Sequence, residues 1–264
     1  MLALALPAEG EKFTPPTLDD MHLPPLFHIG DFAFSKQMLL MILSVVLIVA
    51  FFRLAIRKGS MVPGKLQFIG ESGYEFVRNS LGREIIGQGF LKWVPLLFAI
   101  FFFVLVNNLF GLIPVLQLPT FSHAGSAYAL AAVVYLTWIG VGIKKHGLGF
   151  FKLMVVPSGV PFALLFILVP IEILSNFVVR PLTHSLRLMA TMLAGHMIVT
   201  LAGTGAHYLI AVQENLFLKG TGILVIGGSV AMGLLEALIM VLQAFVFTLL
   251  TAIYIQGAEH ADNH

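Results

Sequence analysis

Long apolar runs separated by short basic clusters organise this chain. The first run, about Gln37 to Ile56 (QMLLMILSVVLIVAFFRLAI), is nearly free of charge and close to the ~20 residues a helix needs to cross a bilayer. It ends at Arg53, Arg57 and Lys58, with Lys65 just beyond, so the positive-inside rule predicts a cytoplasmic loop there and an N-terminal arm outside. The stretch Pro63 to Gly82 sets Leu66, Ile69, Phe76 and Val77 among Glu71, Glu75 and Arg78, the pattern of an amphipathic helix on the cytoplasmic surface. Trp93 to Ile113 predicts a second span that returns outward, because Pro114 to Ser126 holds no Lys or Arg. Ala127 to Ile143 crosses back and stops at Lys144, Lys145 and His146, with Lys152 behind.

The last two runs are too long for upright spans. Pro161 to Ala211 would measure about 75 Å as a helix, and Thr221 to Gln256 about 54 Å, against a hydrocarbon core of about 30 Å. Both must tilt steeply, kink at Pro170 or Pro181, or lie partly along the membrane. Two overlong neighbours predict a tilted hairpin with its turn around Gln213 to Gly220 outside and the tail from Ala258 to His264 inside. There is no repeat, low-complexity tract or composition break. The expectation is one domain over residues 1–264: an extramembrane arm over 1–36, with Pro15, Pro16, Pro24 and Pro25 as spacers, and a helical membrane region over 37–264. The fold class is an all-α membrane protein with about five membrane-embedded helices and one amphipathic surface helix.

Composition turns apolar runs into a polytopic membrane protein. Hydrophobic residues make up 58% of the 264, charged residues only 11%, and the mean hydropathy is +0.96, whereas about a quarter of a soluble chain is charged. A net charge of +2, with Lys and Arg gathered in short loops, excludes a nucleic-acid partner. The absence of Cys excludes disulfides and thiolate chemistry. The short apolar stretch Met1 to Pro7 has no basic region before it, so a secretory signal is not expected. Neither GxxxxGK[ST], GxGxxG after a strand, HExxH nor G-x-S-x-G occurs, so any nucleotide binds elsewhere and no cofactor is expected.

Candidate chemistry lies inside the overlong pair. Arg187 stands in the apolar run PLTHSLRLMATMLAGHMIVTLAGTGAHYL, where a permanent charge costs roughly 2.5 to 3.5 kcal/mol at a helix centre. Guanidinium keeps its proton, so it acts as a fixed field and not as a shuttle; snorkelling to an interface is its bland alternative. At 100° per residue, Arg180, His184, Arg187, Thr191 and Ala194 fall on one side, while His196, Thr200, Gly203 and His207 project roughly opposite Arg187. In the last run Ser229, Glu236, Gln243 and Tyr254 lie within about 20° to 40° of one another. A Glu and a His on adjoining helices are natural proton-relay partners, or else a structural hydrogen-bonded pair. Gln243 serves equally as a hydrogen bond across a helix contact, and His184 and His207 read alone as packing residues. Ala190, Ala194, Gly195 and Gly203 permit close helix approach. His260 and His264 belong to a solvated tail and not to a metal site.

Two blocks carry a resemblance. RPLTHSLRLMATMLAGH from Arg180 to His196 is similar to R-P-x-S-L-x-x-R-L-F-x-N-M-x-A-G-[HE], and EALIMVLQAFVFTLLTAIYIQGA from Glu236 is similar to x-x-x-Q-A-[FY]-[IV]-F-x-L-L-T-x-x-Y. Both belong to subunit a of F-type ATP synthase, and NNLFGLIP at Asn107 to Pro114, VPGKLQ after the first span and PIE at Pro170 to Glu172 extend the likeness over all but the first thirty or so residues. The resemblance implies a non-catalytic stator subunit that offers two aqueous half-channels to a rotating ring of c subunits. It gives Arg187 the role of the fixed arginine facing the ring and Gln243 that of the glutamine near it. Glu236 and His196 become the acid and histidine of a proton-access half-channel, with Thr191, Asn108 and Glu172 also on the proton path. Thr191 stands where many members have Asn, and Gly111 where some have Asp. The implied partners are the c-ring, the peripheral-stalk b subunits and, through the stalk, the catalytic head, all in a lipid bilayer. A bacterial plasma membrane is expected rather than an organelle, with the N-terminus outside and the C-terminus cytoplasmic. A proton-coupled transporter would show an internal repeat and discontinuous helices, and neither is visible; a scaffold would tolerate loss of the buried polar groups.

Overall fold

The computed structural model describes residues 27–29, 32–57, 64–113, 120–147, 149–155, 162–212 and 216–260. The proline spacers of the arm, Lys58, most of the loop before Thr120, residues 213–215 and His264 lie outside them. A small antiparallel ribbon, β1 (Phe27–Ile29) and β2 (Phe32–Phe34), pairs Phe27 with Phe34 and Ile29 with Phe32. Everything that follows is helical: α1 (Lys36–Ile56), α2 (Lys65–Phe76), α3 (Val94–Leu109), α4 (Ala124–His146), α5 (Gly149–Val155), α6 (Phe162–Leu174), α7 (Arg180–His207) and α8 (Leu216–Glu259). The protein is an all-α membrane protein. Among the described residues four helical stretches are long and apolar enough to cross a bilayer, Lys36–Ile56, Ala124–His146, Leu165–Ala211 and Gly220–Glu259, and the shorter apolar α3 is the fifth membrane helix predicted.

The overlong runs are continuous. Leu165–Ala211 holds 47 residues, about 70 Å of helix, and α8 holds 44, about 66 Å. The first achieves its length with two wider π-helical turns, Ser175–Val179 and Tyr208–Val212. Pro181 explains the first of these: it has no N–H to give the Phe177 carbonyl, and its ring would press on that oxygen, so the preceding turn loosens. Pro170 lies inside α6. Of the expected turn from Gln213 to Gly220, residues 213–215 lie outside the described residues and Leu216–Gly220 belong to α8.

Contacts group the chain into two units. The first comprises Met1–Val46, Leu105–Ser122 and Ala190–Gln243. In it, Gly195 of α7 meets Glu236 of α8, and Gly222 of α8 meets Ile210 and Leu209, so the two segments run antiparallel as a hairpin. A buried polar network holds α1 to the end of α3: Asn107 donates from Nδ2 to Ser44 Oγ at 2.8 Å, and Thr120 Oγ1 donates to Asn107 Oδ1 at 3.0 Å. All three residues are fully buried. Asn107→Leu removes two buried side-chain hydrogen bonds, at about 0.5–1.5 kcal/mol each, while Ser44 keeps its bond to the Met41 carbonyl and Thr120 its bond to the residue 107 carbonyl. The expected result is a lower midpoint for thermal unfolding in detergent, and an unchanged midpoint would show that the network does not stabilise the fold.

The second unit comprises Leu47–Val104, His123–Met189 and Ala244–His264. Aromatic rings fill it. Phe52 makes edge contacts with Phe98 at 4.6 Å and Phe102 at 4.9 Å, while Trp138, Phe150 and Ala258 form a second buried cluster. The amphipathic helix is present as α2, continued by π-helical turns over Val77–Ile86. Its inner face is Gly70, Val77, Leu81 and Ile86, and the Leu66 and Ile69 pair singled out in the sequence is exposed. Gly70 decides this, because only a residue without Cβ lets α2 approach Ala55 and Phe52 so closely. At the far end of α8, Glu259 pairs with Lys92 and accepts from Trp93 Nε1 at 3.0 Å, while Lys145 and His146 reach the carbonyls of Glu259 and Ala258. Donors at the open carbonyls of a helix C-terminus satisfy groups with no partner inside the helix, and the Lys145 charge opposes its dipole.

Candidate functional site

In the first unit the chemistry centres on Glu236. Its side chain is 6% exposed and lies directly against Gly195, where a Cβ would stand 2.8 Å from Glu236 Oε1 and 3.0 Å from Cδ. The missing side chain thus makes the room in which the carboxylate sits. Thr191, Ala194, Gly195, Ile198, Glu236 and Met240 are among the residues lining a cleft of about 330 Å³ here. Glu236 Oε1 is buried without a hydrogen-bond partner among the described residues. Such a group is costly unless a partner, water or a proton satisfies it.

The neighbouring polar residues extend the cluster. Asn108 is fully buried and donates to the Met240 carbonyl at 3.2 Å, leaving its own Oδ1 unpartnered. Gln243, 4% exposed, has its Nε2 unpartnered as well. His196 is half-buried on the turn that carries Gly195, and no hydrogen bond joins it to Glu236. The structure therefore brings that turn onto the carboxylate without forming the hydrogen-bonded pair. Farther along the hairpin His207, Gly203 and Ser229 line another cleft of about 450 Å³, with His207 Nδ1 unpartnered.

The second unit holds Arg187 and Glu172. Arg187 is exposed on α7, and the exposed positions Ala190, Ala194 and Ile198 continue at helical spacing along the same helix. The sequence placed His184 on the Arg187 side; in the structure the two part, because His184 is 3% exposed, its ring 3.9 Å from that of Phe247. The 60° between them on the helical wheel carries one out and the other in. Neither ring nitrogen of His184 has a hydrogen-bond partner among the described residues, and its ring packs against Phe247 and Tyr254.

Glu172 borders a cleft of about 360 Å³ with Asn176, Arg180 and Tyr254. Asn176 donates to Glu172 Oε2 at 2.9 Å and to the Met154 carbonyl at 3.1 Å, and the Tyr135 hydroxyl donates to the Asn176 carbonyl. The Arg180 guanidinium lies 5.9 Å from the centre of the Tyr254 ring, a cation–π distance. Sequence reasoning missed Asn176, although its place four residues after Glu172 puts the two on one helix face. It also passed over Asn107 as a structural hub. Among the described residues no group of acids and histidines has metal-binding geometry.

Each unit thus contains a half-buried or buried carboxylate beside a cleft, and α7 carries an exposed guanidinium. Comparison with known proteins gives this arrangement a family. A family profile described as "ATP synthase A chain" matches residues 38–256. The ATP synthase subunit a of Pseudarthrobacter chlorophenolicus is 64% identical over 267 aligned positions, covering 100% of both chains. That of Nocardioides sp. is 45% identical over 97% of this chain and 96% of its own, and that of Hyphomonas neptunium is 44% identical over 89% and 90%. The match reaches into every membrane helix described, and the chain belongs to the ATP synthase A chain family.

Proposed function

We propose that the chain is the stator proton-channel subunit of an F-type ATP synthase and that it performs no bond chemistry itself. Protons reach and leave a carboxylate on a rotating c-ring through two half-channels. Glu236, His196, Asn108 and Thr191 line one, and Glu172, with Asn176 and Arg180 beside it, lines the other. Arg187 faces the ring, with Gln243 near the same path. Its fixed charge favours the ionised form of each arriving carboxylate and prevents a proton from passing straight between the half-channels. A unit charge crossing the membrane potential supplies about 2.3 kcal/mol per 100 mV, which ring rotation delivers to a catalytic head held by peripheral-stalk b subunits. The two units serve a single membrane domain, since α1, α3, α7 and α8 each contribute residues to both. The chain sits in a bacterial plasma membrane with its N-terminus outside and its C-terminus cytoplasmic.

One observation carries this reading. A single helix presents an exposed guanidinium at Arg187 and, two turns on, lays Gly195 over a buried carboxylate with an unpartnered oxygen. The fixed charge and the glycine that makes room for the carboxylate are thus both carried by α7. The test uses the natural absence of Cys. Single Cys residues at Ala190 and Ala194 are paired with Cys beside the ring carboxylate of the copurified c subunit. Disulfides that stop ATP-driven pumping, and release it on reduction, support a face turned to a moving rotor; a complex that pumps with no disulfide at either position overturns that orientation. For the half-channel, Glu236→Gln is expected to slow proton flux roughly a hundredfold or more, within the 10²–10⁴ range typical of a positioned proton-transfer group, with assembly intact. Unchanged flux would return Glu236 to a structural role.

A further inference from the structure

We propose that the end of α1 carries a binding site for an anionic glycerophospholipid, independent of the proton path. A groove of about 590 Å³ runs along α1 and is lined by Ile48, Phe52 and Ile56 with Phe98 of α3, and it ends at Arg53 and Arg57. Phe52 and Phe98 meet edge to face at 4.6 Å, so the floor is a pair of interlocked rings. Neither arginine makes an ion pair or hydrogen bond among the described residues. Two permanent cations one helical turn apart are left facing outward at one end of a lengthwise apolar channel.

The two parts of the groove match the two parts of one molecule. Guanidinium groups at i and i+4 converge on a phosphate through forked N–H donors, which a compact ammonium cannot reproduce. From Ile48 to Arg57 the helix rises about 13.5 Å, close to half of a ~30 Å hydrocarbon core, so one acyl chain of one leaflet covers the apolar length while its phosphodiester lies at the arginines. A zwitterionic lipid carries a cation that opposes them. A protein helix would need an acid placed opposite both arginines and an apolar strip below it, whereas an anionic lipid supplies both in a single molecule. Basic pockets between membrane helices recognise anionic headgroups on this principle.

The intact ATP synthase containing this chain is reconstituted into phosphatidylcholine vesicles with a trace of either phosphatidylglycerol or phosphatidylcholine bearing a photoreactive acyl chain, and label on residues 48–57 is quantified. Phosphatidylglycerol is expected to label this segment about thirtyfold more than phosphatidylcholine, each arginine near the surface contributing roughly fivefold. The excess should disappear in the Arg53→Ala, Arg57→Ala double variant and partly persist in Arg53→Lys, Arg57→Lys. Excess inorganic phosphate should not displace it. Equal labelling by the two lipids would reduce the groove to ordinary annular contact and overturn the proposal. Displacement by phosphate would assign the arginines to a free anion. A photoreactive residue at Phe98 that captures another subunit and no lipid would assign the groove to protein. If the alanine variant does not assemble, the contrast between the two lipids on the unaltered complex and the lysine variant decides the matter.

Discussion

Arg187→Lys should abolish proton-coupled ATP synthesis although it conserves the charge. The proposed role needs a forked, permanently protonated group opposite the ring carboxylate, and lysine supplies only part of it. Ammonium is compact, strongly hydrated and able to lose its proton when desolvated, so it neither spans the same distance nor blocks proton passage with certainty. Two measurements separate these failures in inverted membrane vesicles: ATP synthesis driven by an imposed gradient, and passive proton leak with the catalytic head inhibited. Arg187→Lys is expected to lose synthesis, and Arg187→Gln to lose synthesis and raise the leak. Synthesis at the unsubstituted rate in the lysine variant would sink the fixed-guanidinium role, whatever the leak.

The second large effect is expected at a residue with no side chain. Gly195→Ala sets a methyl group 2.8 Å from Glu236 Oε1 and 3.0 Å from its Cδ and Cγ, distances that real Cβ atoms do not tolerate. Either the carboxylate swings away or the hairpin opens, and overpacking of this kind costs about 1–3 kcal/mol. Proton flux should fall about tenfold while the complex still assembles, and Glu236→Asp in the same chain should recover part of it by withdrawing the side chain. Gly203→Ala is the control, because a Cβ there meets nothing within 4 Å. Equal behaviour of the two alanine variants, measured as ATP-driven acidification of vesicles, would mean that the closeness of Gly195 to Glu236 has no bearing on proton movement.

Periodicity and run length revealed the membrane helices to within a few residues, because apolar stretches of this length have few other solutions in water or lipid. The excess length of the last two was likewise a matter of counting. What counting missed were features set by tertiary contact. The short α5, the ribbon before α1 and the π-helical turns leave no periodic signature, and the buried face of α2 is chosen by Gly70 meeting Ala55 rather than by its largest apolar side chains. At the candidate site, Arg187, Glu236, Gln243 and His196 were legible as chemistry out of place in apolar sequence. Their surroundings were not: the wheel put His184 beside Arg187, and only packing against Phe247 distinguishes the buried ring from the exposed guanidinium. Asn176 was invisible for the opposite reason, since an amide in a helix becomes informative only when its partner, here Glu172, is known to face it.

The fastening of α8 at Glu259 also bears on how the chain is made. Its indole partner, Trp93, was synthesised 166 residues earlier, and Lys145 and His146 belong to a helix completed long before α8 emerges. Contacts so distant in sequence form late. Until the final turn of α8 is released from the ribosome, Lys92, Trp93 and Lys145 lack these partners. Glu259 then pairs with Lys92 while the last carbonyls of α8 receive Lys145 and His146, so the end of α8 is tied to segments made well before it.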